Sequence, residues 1–166
     1  ERQLDVLDVG CGTGLCGESL RPYASQLVGI DLSTQMVQKA KTLNLYDQLI
    51  EAELTNYMAN QASRFDLIVS ADTLVYFGRL ADAFQAAANA LRPGGVLAFT
   101  LERTDSATTE LGFRLNPHGR YSHTETFVTD SLAAAGLTVR ACDRDVLRLE
   151  VKKPVDGLIV TAVKAA

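Results

Sequence analysis

Apolar residues follow two spacings along this chain, and the two alternate from one end to the other. Leu4–Val9 is a short apolar run of strand length, and a glycine-rich turn at 10–14 leads from it into a helix reaching about residue 23. Residues 26–30 form a second strand, stopped by Asp31-Leu32-Ser33. From Thr34 the period changes, and Met36, Val37, Ala40 and Leu43 fall on one helical face. A third strand is predicted at 48–53. A fourth, Phe65–Ser70, is rich in Leu, Ile and Val, as a strand covered on both faces should be.

The clearest helix lies at 79–91, where Leu80, Ala83, Phe84, Ala87 and Leu91 recur at three- and four-residue steps. Arg92-Pro93-Gly94-Gly95 ends it, since proline cannot continue a helix and glycine relieves the reversal. Residues 96–101 make a fifth strand, followed by a polar stretch of about 20 residues, long for a loop without structure of its own. The next helix opens with Ser122 and Glu125 at capping-box spacing and closes at Gly136. Leu137–Glu150 and 158–164 then read as two strands joined by a turn at 153–157, with no helix between them, so they pair antiparallel.

Strand–helix alternation of this kind builds a parallel sheet with helices on both faces. The predicted fold is α/β: a doubly wound, mostly parallel seven-stranded sheet with an antiparallel last strand. No repeat or linker divides it, so residues 1–166 read as one domain. The chain opens at Glu1 and its first strand follows at once, which reads as a core lacking an N-terminal segment.

Composition narrows the partners. Apolar residues make up 47% and charged residues 22%, the balance of an ordinary globular domain. Sixteen basic against 20 acidic side chains give a net charge of -4, and the one pair of adjacent lysines, Lys152-Lys153, abuts Pro154. That argues against a nucleic-acid partner. No apolar run approaches the roughly 20 residues of a membrane span, and no secretory signal is visible. Cys11, Cys16 and Cys142 lack metal-ligand spacing and read as neutral thiols in a reducing cytoplasm, with no metal site implied.

The chemistry concentrates at Leu7-Asp8-Val9-Gly10-Cys11-Gly12-Thr13-Gly14, between the first strand and the first helix. Alternating glycines let the backbone turn sharply and come close to a ligand. Asp31 ends the second strand, where a carboxylate can accept hydrogen bonds from both hydroxyls of a ribose. A dinucleotide site shares these features, but a pyrophosphate calls for G-x-G-x-x-G, and position 15 is Leu15. Asp8 adds a second carboxylate, unfriendly to a pyrophosphate and harmless to a cationic sulfonium.

The segment 7–14 resembles the first motif of the seven-strand S-adenosylmethionine-dependent methyltransferases. Gly29-Ile30-Asp31-Leu32-Ser33 with Met36 resembles their second, Phe65-Asp66-Leu67-Ile68-Val69 their fourth strand, and Leu91-Arg92-Pro93-Gly94-Gly95 the turn before their fifth. The resemblance implies S-adenosylmethionine as cofactor, with S-adenosylhomocysteine as product. It implies that Gly10, Cys11, Gly12 and Gly14 form the turn around the methionine moiety, that Asp31 binds the ribose, and that Leu32 and Met36 pack on the adenine. Glu53 and Leu54 would lie near the adenine amino group, and Ala71 and Asp72 beside the reacting methyl. Asp8 would order the turn rather than touch the ligand.

The segments 71–78 and 119–123 are similar to methyltransferase domains that follow tetratricopeptide-type repeats in some bacterial proteins, as is the ending Val146-Leu147-Arg148 … Val155-Asp156-Gly157-Leu158. Methyl transfer is an in-line displacement in which much of the catalysis is positioning, with a base needed where the acceptor carries a proton. Asp72, Tyr76, His118 and His123 are the candidates for catalytic work, and Arg120 and Tyr121 for substrate binding. His118 and His123 are the only histidines, and both fall in or beside the polar stretch. The expected function is methylation of a small-molecule acceptor. An NAD(P)-dependent oxidoreductase and a non-catalytic cofactor-binding module are the alternatives.

Overall fold

β1 (Leu4–Val9) lies in the middle of the sheet, with its last four side chains all buried. Because successive strand side chains point to opposite faces, Leu7 and Val9 serve one core while Val6 serves another. The computed structural model describes residues 3–105 and 111–166.

The strand order is β3-β2-β1-β4-β5, with β2 at Ala24–Asp31, β3 at Gln48–Glu51, β4 at Phe65–Ser70 and β5 at Leu91–Arg103, all paired in parallel. β9 (Lys153–Lys164) runs antiparallel to β5 and to β8 (Leu137–Glu150), which closes the sheet. The parallel order reverses between β1 and β4, the place where open α/β sheets bind ligands beyond their carboxyl edge.

The larger core packs sheet residues such as Leu7, Ile30, Ile68 and Phe99 against α3 (Leu54–Ala59), α4 (Ala81–Ala90) and α5 (Glu125–Ala134). In α4 the expected stripe is an alanine-rich face around Phe84, whose ring meets Phe99 with centroids 5.1 Å apart. The smaller core gathers Val6, Ala24 and Leu27 with Leu20 and Tyr46, beside α1 (Leu15–Leu20) and α2 (Thr34–Lys41).

The doubly wound α/β fold is as expected, and the differences are local. β3 stops at Glu51, because Glu53 turns the chain into the unpredicted α3: its carboxylate accepts from the Thr55 and Asn56 amides. Arg92-Pro93-Gly94-Gly95 does not precede β5 but bulges within it, between the pairs Phe65–Leu91 and Leu67–Val96. Part of the polar stretch folds as a short hairpin, β6 (Phe113–Leu115) and β7 (Tyr121–His123), pinned to the end of β5 through Glu102 and Arg103. These two strands bring the described sheet from the expected seven strands to nine. The cap of α5 is Thr124, whose hydroxyl accepts from the Phe127 amide, and not Ser122, which lies in β7. Gly136 ends that helical segment with φ +77, as its position suggests.

Candidate active site

Beyond the carboxyl ends of β1, β2 and β4 lies an open cavity of about 790 Å³. Its floor is the glycine turn. Gly10 (φ +68) and Gly12 (φ +54) adopt left-handed backbone for different reasons. A Cβ on Gly10 would fall 2.1 Å from the Thr73 hydroxyl, so the segment after β4 packs directly on the turn. A Cβ on Gly12 would meet nothing within 4 Å, which leaves that backbone open for close approach.

The amides of Gly10, Cys11, Gly12 and Gly14 already have partners. Those of Gly10 and Cys11 both donate to the Ile30 carbonyl, at 2.8 and 2.9 Å. The Gly12 amide donates to Asp31 Oδ2 at 2.9 Å, and the Ser33 amide to Asp31 Oδ1 at 2.8 Å. Asp31 therefore stands fixed at the end of β2, and each of its oxygens keeps lone-pair capacity for another donor. A pyrophosphate needs free amide donors; this floor offers carbonyls and carboxylates. Such a surface fits a cation.

Leu15, Leu32 and Met36 line the cavity while exposed to solvent, Leu15 by 80% and Leu32 by 71%. Exposed apolar side chains around a concave site are suited to the faces of a flat ring. Glu53, Leu54 and Ala71 line it as well. Gly14 is missing from the lining: it starts α1 and leaves room for Leu43, Ala40 and the Tyr46 ring. Burial pushes the Cys11 thiol up to about 12, which leaves it a neutral wall residue, and none of the three cysteines is in a disulfide.

On the β4 side the cavity is bounded by Asp72, Thr73, Tyr76 and Phe77. Asp72 takes a positive φ of 54°, with its amide donating to Thr100 Oγ1 at 2.9 Å. Tyr76 is 62% exposed. Behind Asp72 stands an ion cluster. Arg148, from β8, donates to Asp72 Oδ1 at 2.8 Å, to Glu150 Oε1 at 2.9 Å, and to the buried Glu102. Arg120 donates to Glu102 at 2.8 Å and also to Glu150.

The structure thus engages Arg120 in internal pairs rather than leaving it facing the cavity. His118 stands at the edge of the same cluster, its Nε2 3.6 Å from Glu102 Oε2. His123 is fully buried, with its ring stacked on Phe127 at 6.0 Å and Nε2 3.0 Å from the Gly78 carbonyl. Burial lowers its pKa, which keeps the ring neutral, and its Nδ1 has no hydrogen-bond partner. Tyr121 packs edge-on to Phe113 at 5.9 Å and against Gly78. Neither histidine lines the cavity, nor does Tyr121 or Arg120.

Residues 7–99 match the family model described as a methyltransferase domain. The chain belongs to this methyltransferase domain family. Over 101 residues it is 36% identical to a malonyl-[acyl-carrier protein] O-methyltransferase of Enterobacter lignolyticus (strain SCF1), covering 61% of this chain and 40% of the relative. It is 33% identical over 144 residues to a ubiquinone biosynthesis O-methyltransferase of Xanthomonas axonopodis pv. citri (strain 306), covering 80% of this chain and 59% of the relative. The chain therefore matches 40% to 59% of the length of these two relatives. A Burkholderia thailandensis 1,6-didemethyltoxoflavin-N1-methyltransferase, solved with 1,6-didemethyltoxoflavin and S-adenosylhomocysteine, shares the fold. Its TM-score is 0.78 at 21% identity, over 99% of this chain and 72% of that one.

Several residues of this methyltransferase domain escaped the sequence reading. Thr73 ties the β4 segment to the glycine turn through a hydrogen bond to the Gly10 carbonyl at 3.3 Å. Glu102, Arg148 and Glu150 form the ion cluster, and Tyr46 donates to Asp8 at 2.6 Å. One faint signal was available for Tyr46: glycines at 17 and 29 sit inside a helix and a strand, where a missing side chain calls for a reason. Among the described residues no group of His, Cys, Asp and Glu is arranged to hold a metal ion, and no helix is long and apolar enough to cross a membrane.

Proposed function

We propose that this domain binds S-adenosylmethionine and directs its methyl group to a small-molecule acceptor. The observation that carries the reading is the cavity floor. The amides of Gly10, Cys11 and Gly12 are engaged within the protein, Asp31 keeps lone-pair capacity for further donors, and exposed apolar side chains stand at one side. Those groups fit a molecule with an ammonium, a sulfonium, a ribose and a flat base.

Asp31 would receive the ribose hydroxyls, and Leu32 and Met36 would pack on the adenine. Leu54 and the capping Glu53 would border the adenine edge. The carbonyls of the turn from Gly10 to Gly12 would hold the methionine ammonium. The bound donor supplies an electrophilic methyl whose leaving group is a neutral thioether. The chain's own work is then to hold an acceptor in line with that methyl and to exclude water. Ala71, Asp72 and Tyr76 border the side on which an acceptor would enter, and Asp72 and Tyr76 are the ionisable groups there that could take its proton. His118 belongs to the ion cluster behind Asp72 and would act through it. His123 and Tyr121, packed under the hairpin, would shape the wall.

The malonyl-[acyl-carrier protein] and ubiquinone biosynthesis O-methyltransferases among the relatives support an oxygen acceptor, and the chain's acidic balance fits a partner other than nucleic acid. The finer kinship with domains that follow tetratricopeptide-type repeats rests on the segments 71–78 and 119–123 and on the ending at 146–148 and 155–158.

Calorimetric titration with S-adenosylmethionine, S-adenosylhomocysteine and NADH tests the reading. Micromolar binding of the first two without the third is expected. NADH binding in their place would make the turn a dinucleotide site and overturn it.

A further inference from the structure

Asp8 lies two residues before the glycine turn, yet it does not line the cavity. Its side chain points to the face of β1 opposite Leu7 and Val9, and the residue is 1% exposed. There the hydroxyl of Tyr46, from the segment between α2 and β3, donates to Asp8 Oδ2 at 2.6 Å. The Tyr46 ring occupies a slot formed by three glycines. A Cβ would lie 3.2 Å from the ring at Gly14 and 2.8 Å from it at Gly17 and at Gly29. Gly17 sits in α1 and Gly29 in β2, both at ordinary φ, where glycine weakens an element and gains nothing from its freedom. The ring supplies the reason for both.

A phenol delivered so deliberately to a buried carboxylate has an electrostatic consequence. A hydrogen bond to the charged form favours that form and opposes the desolvation of burial. The charge is felt at the cavity wall, because Asp8 and Asp31 both add to the burial that raises the Cys11 thiol. We infer that Tyr46 is a positioning residue: its hydroxyl holds Asp8 as a carboxylate beneath the glycine turn, and this buried charge raises the site's affinity for the sulfonium donor relative to its neutral thioether product. The inference rests on the function proposed above.

The groups facing Asp8 are Asp31 from β2, Tyr46, and the thiols of Cys11 and Cys16, both raised by burial and neutral. Burial pushes Asp8 up to about 6; the Tyr46 hydrogen bond pulls it back down, and Asp31 adds to the rise. Asp8 is therefore ionised at pH 7.5 and largely protonated at pH 5. Both ligands carry the ribose, the adenine and the ammonium, so the ratio of their affinities isolates the sulfonium.

Calorimetry with S-adenosylmethionine and S-adenosylhomocysteine between pH 5 and 7.5 tests this on the wild type, Tyr46→Phe and Asp8→Asn. In the wild type the affinity ratio should move toward the sulfonium ligand by about fivefold as pH rises, the size of effect that one partly screened charge exerts. In Tyr46→Phe the midpoint of that change should move up by about one pH unit. At pH 6.5, between the two midpoints, this variant should bind S-adenosylmethionine about twofold more weakly, with S-adenosylhomocysteine unchanged. Asp8→Asn should flatten the ratio, and it carries the test alone where Tyr46→Phe does not fold. Equal weakening of both ligands in Tyr46→Phe would reduce Tyr46 to packing and overturn the inference. A wild-type ratio independent of pH would do the same while leaving the function standing. Failure of the wild type to bind either ligand would overturn the function and the inference together.

Discussion

Asp31 shows how a single side chain serves structure and ligand at once. It holds the turn through Gly12 and the start of the next segment through Ser33, and in the proposed function it also receives the ribose. Asp31→Ala should weaken S-adenosylmethionine binding by about 1–3 kcal/mol, since charged hydrogen bonds are lost. Calorimetry reads this directly, and unchanged affinity would place the ribose elsewhere. Gly10 is constrained twice, by its φ of +68 and by the Thr73 side chain. Gly10→Ala should cost about 2 kcal/mol or more from backbone and clash together. Adding Thr73→Ser should recover only the part due to the Thr73 methyl, as measured by denaturant unfolding.

Asp8 makes a separate claim on the ligand-free protein. Its folded pKa, about 6, lies above the ordinary carboxylate value, so its contribution to stability is complete at low pH and is lost as pH rises through 6. Asp8→Asn lacks this titration. The stability difference between wild type and Asp8→Asn should therefore shift in the variant's favour between about pH 4 and pH 6, and a flat difference would show that Asp8 does not titrate there.

Among the elements, the start of α5 is decided by one hydroxyl. Thr124 caps the helix, whereas Ser122 belongs to β7 and accepts from the Asn116 side chain at 3.2 Å. Thr124→Ala should cost about 1 kcal/mol. The α3 cap carries a pH signature. Burial pushes the Glu53 carboxyl up, but the Asn56 and Thr55 amides outweigh it and leave its pKa below the usual glutamate value. Its capping is thus complete at neutral pH and lost as pH falls through the carboxylate range, an effect absent from Glu53→Gln in a melting series.

Across the whole molecule the ion cluster joins parts that are distant in sequence: β5 through Glu102, the hairpin through Arg120, β8 through Arg148 and the cavity wall through Asp72. Glu102 is the buried member, with its side chain 5% exposed between two guanidinium groups. Glu102→Ala should destabilise by about 3 kcal/mol, because it strips the carboxylate from both arginines. Glu150, out at the β8–β9 turn, should matter less, and denaturant unfolding of the two variants separates them. A larger loss at Glu150 would show that the β8–β9 turn, and not β5, anchors the cluster.

The sequence by itself determined the strand–helix alternation, the reversed final strand, the glycine turn and Asp31. All of these are written in short stretches of chain, and the handedness of strand–helix–strand crossovers then leaves few ways to assemble them. Asp31 was legible because it ends the strand beside the one that carries the turn, so local signals alone put both at one edge. Tertiary structure decided the rest. Whether the amides of Gly10 and Cys11 face a ligand or Ile30 depends on the approach of β2. Whether His123 is a base or a buried ring depends on Phe113 and Phe127 closing over it. Arg120, Asp8 and Tyr46 take their roles from partners 18 to 38 residues away, and Asp72 and Arg148 meet across 76. Ionisation and hydrogen bonding depend on burial and on what stands within about 3 Å, and neither is set until the chain has folded.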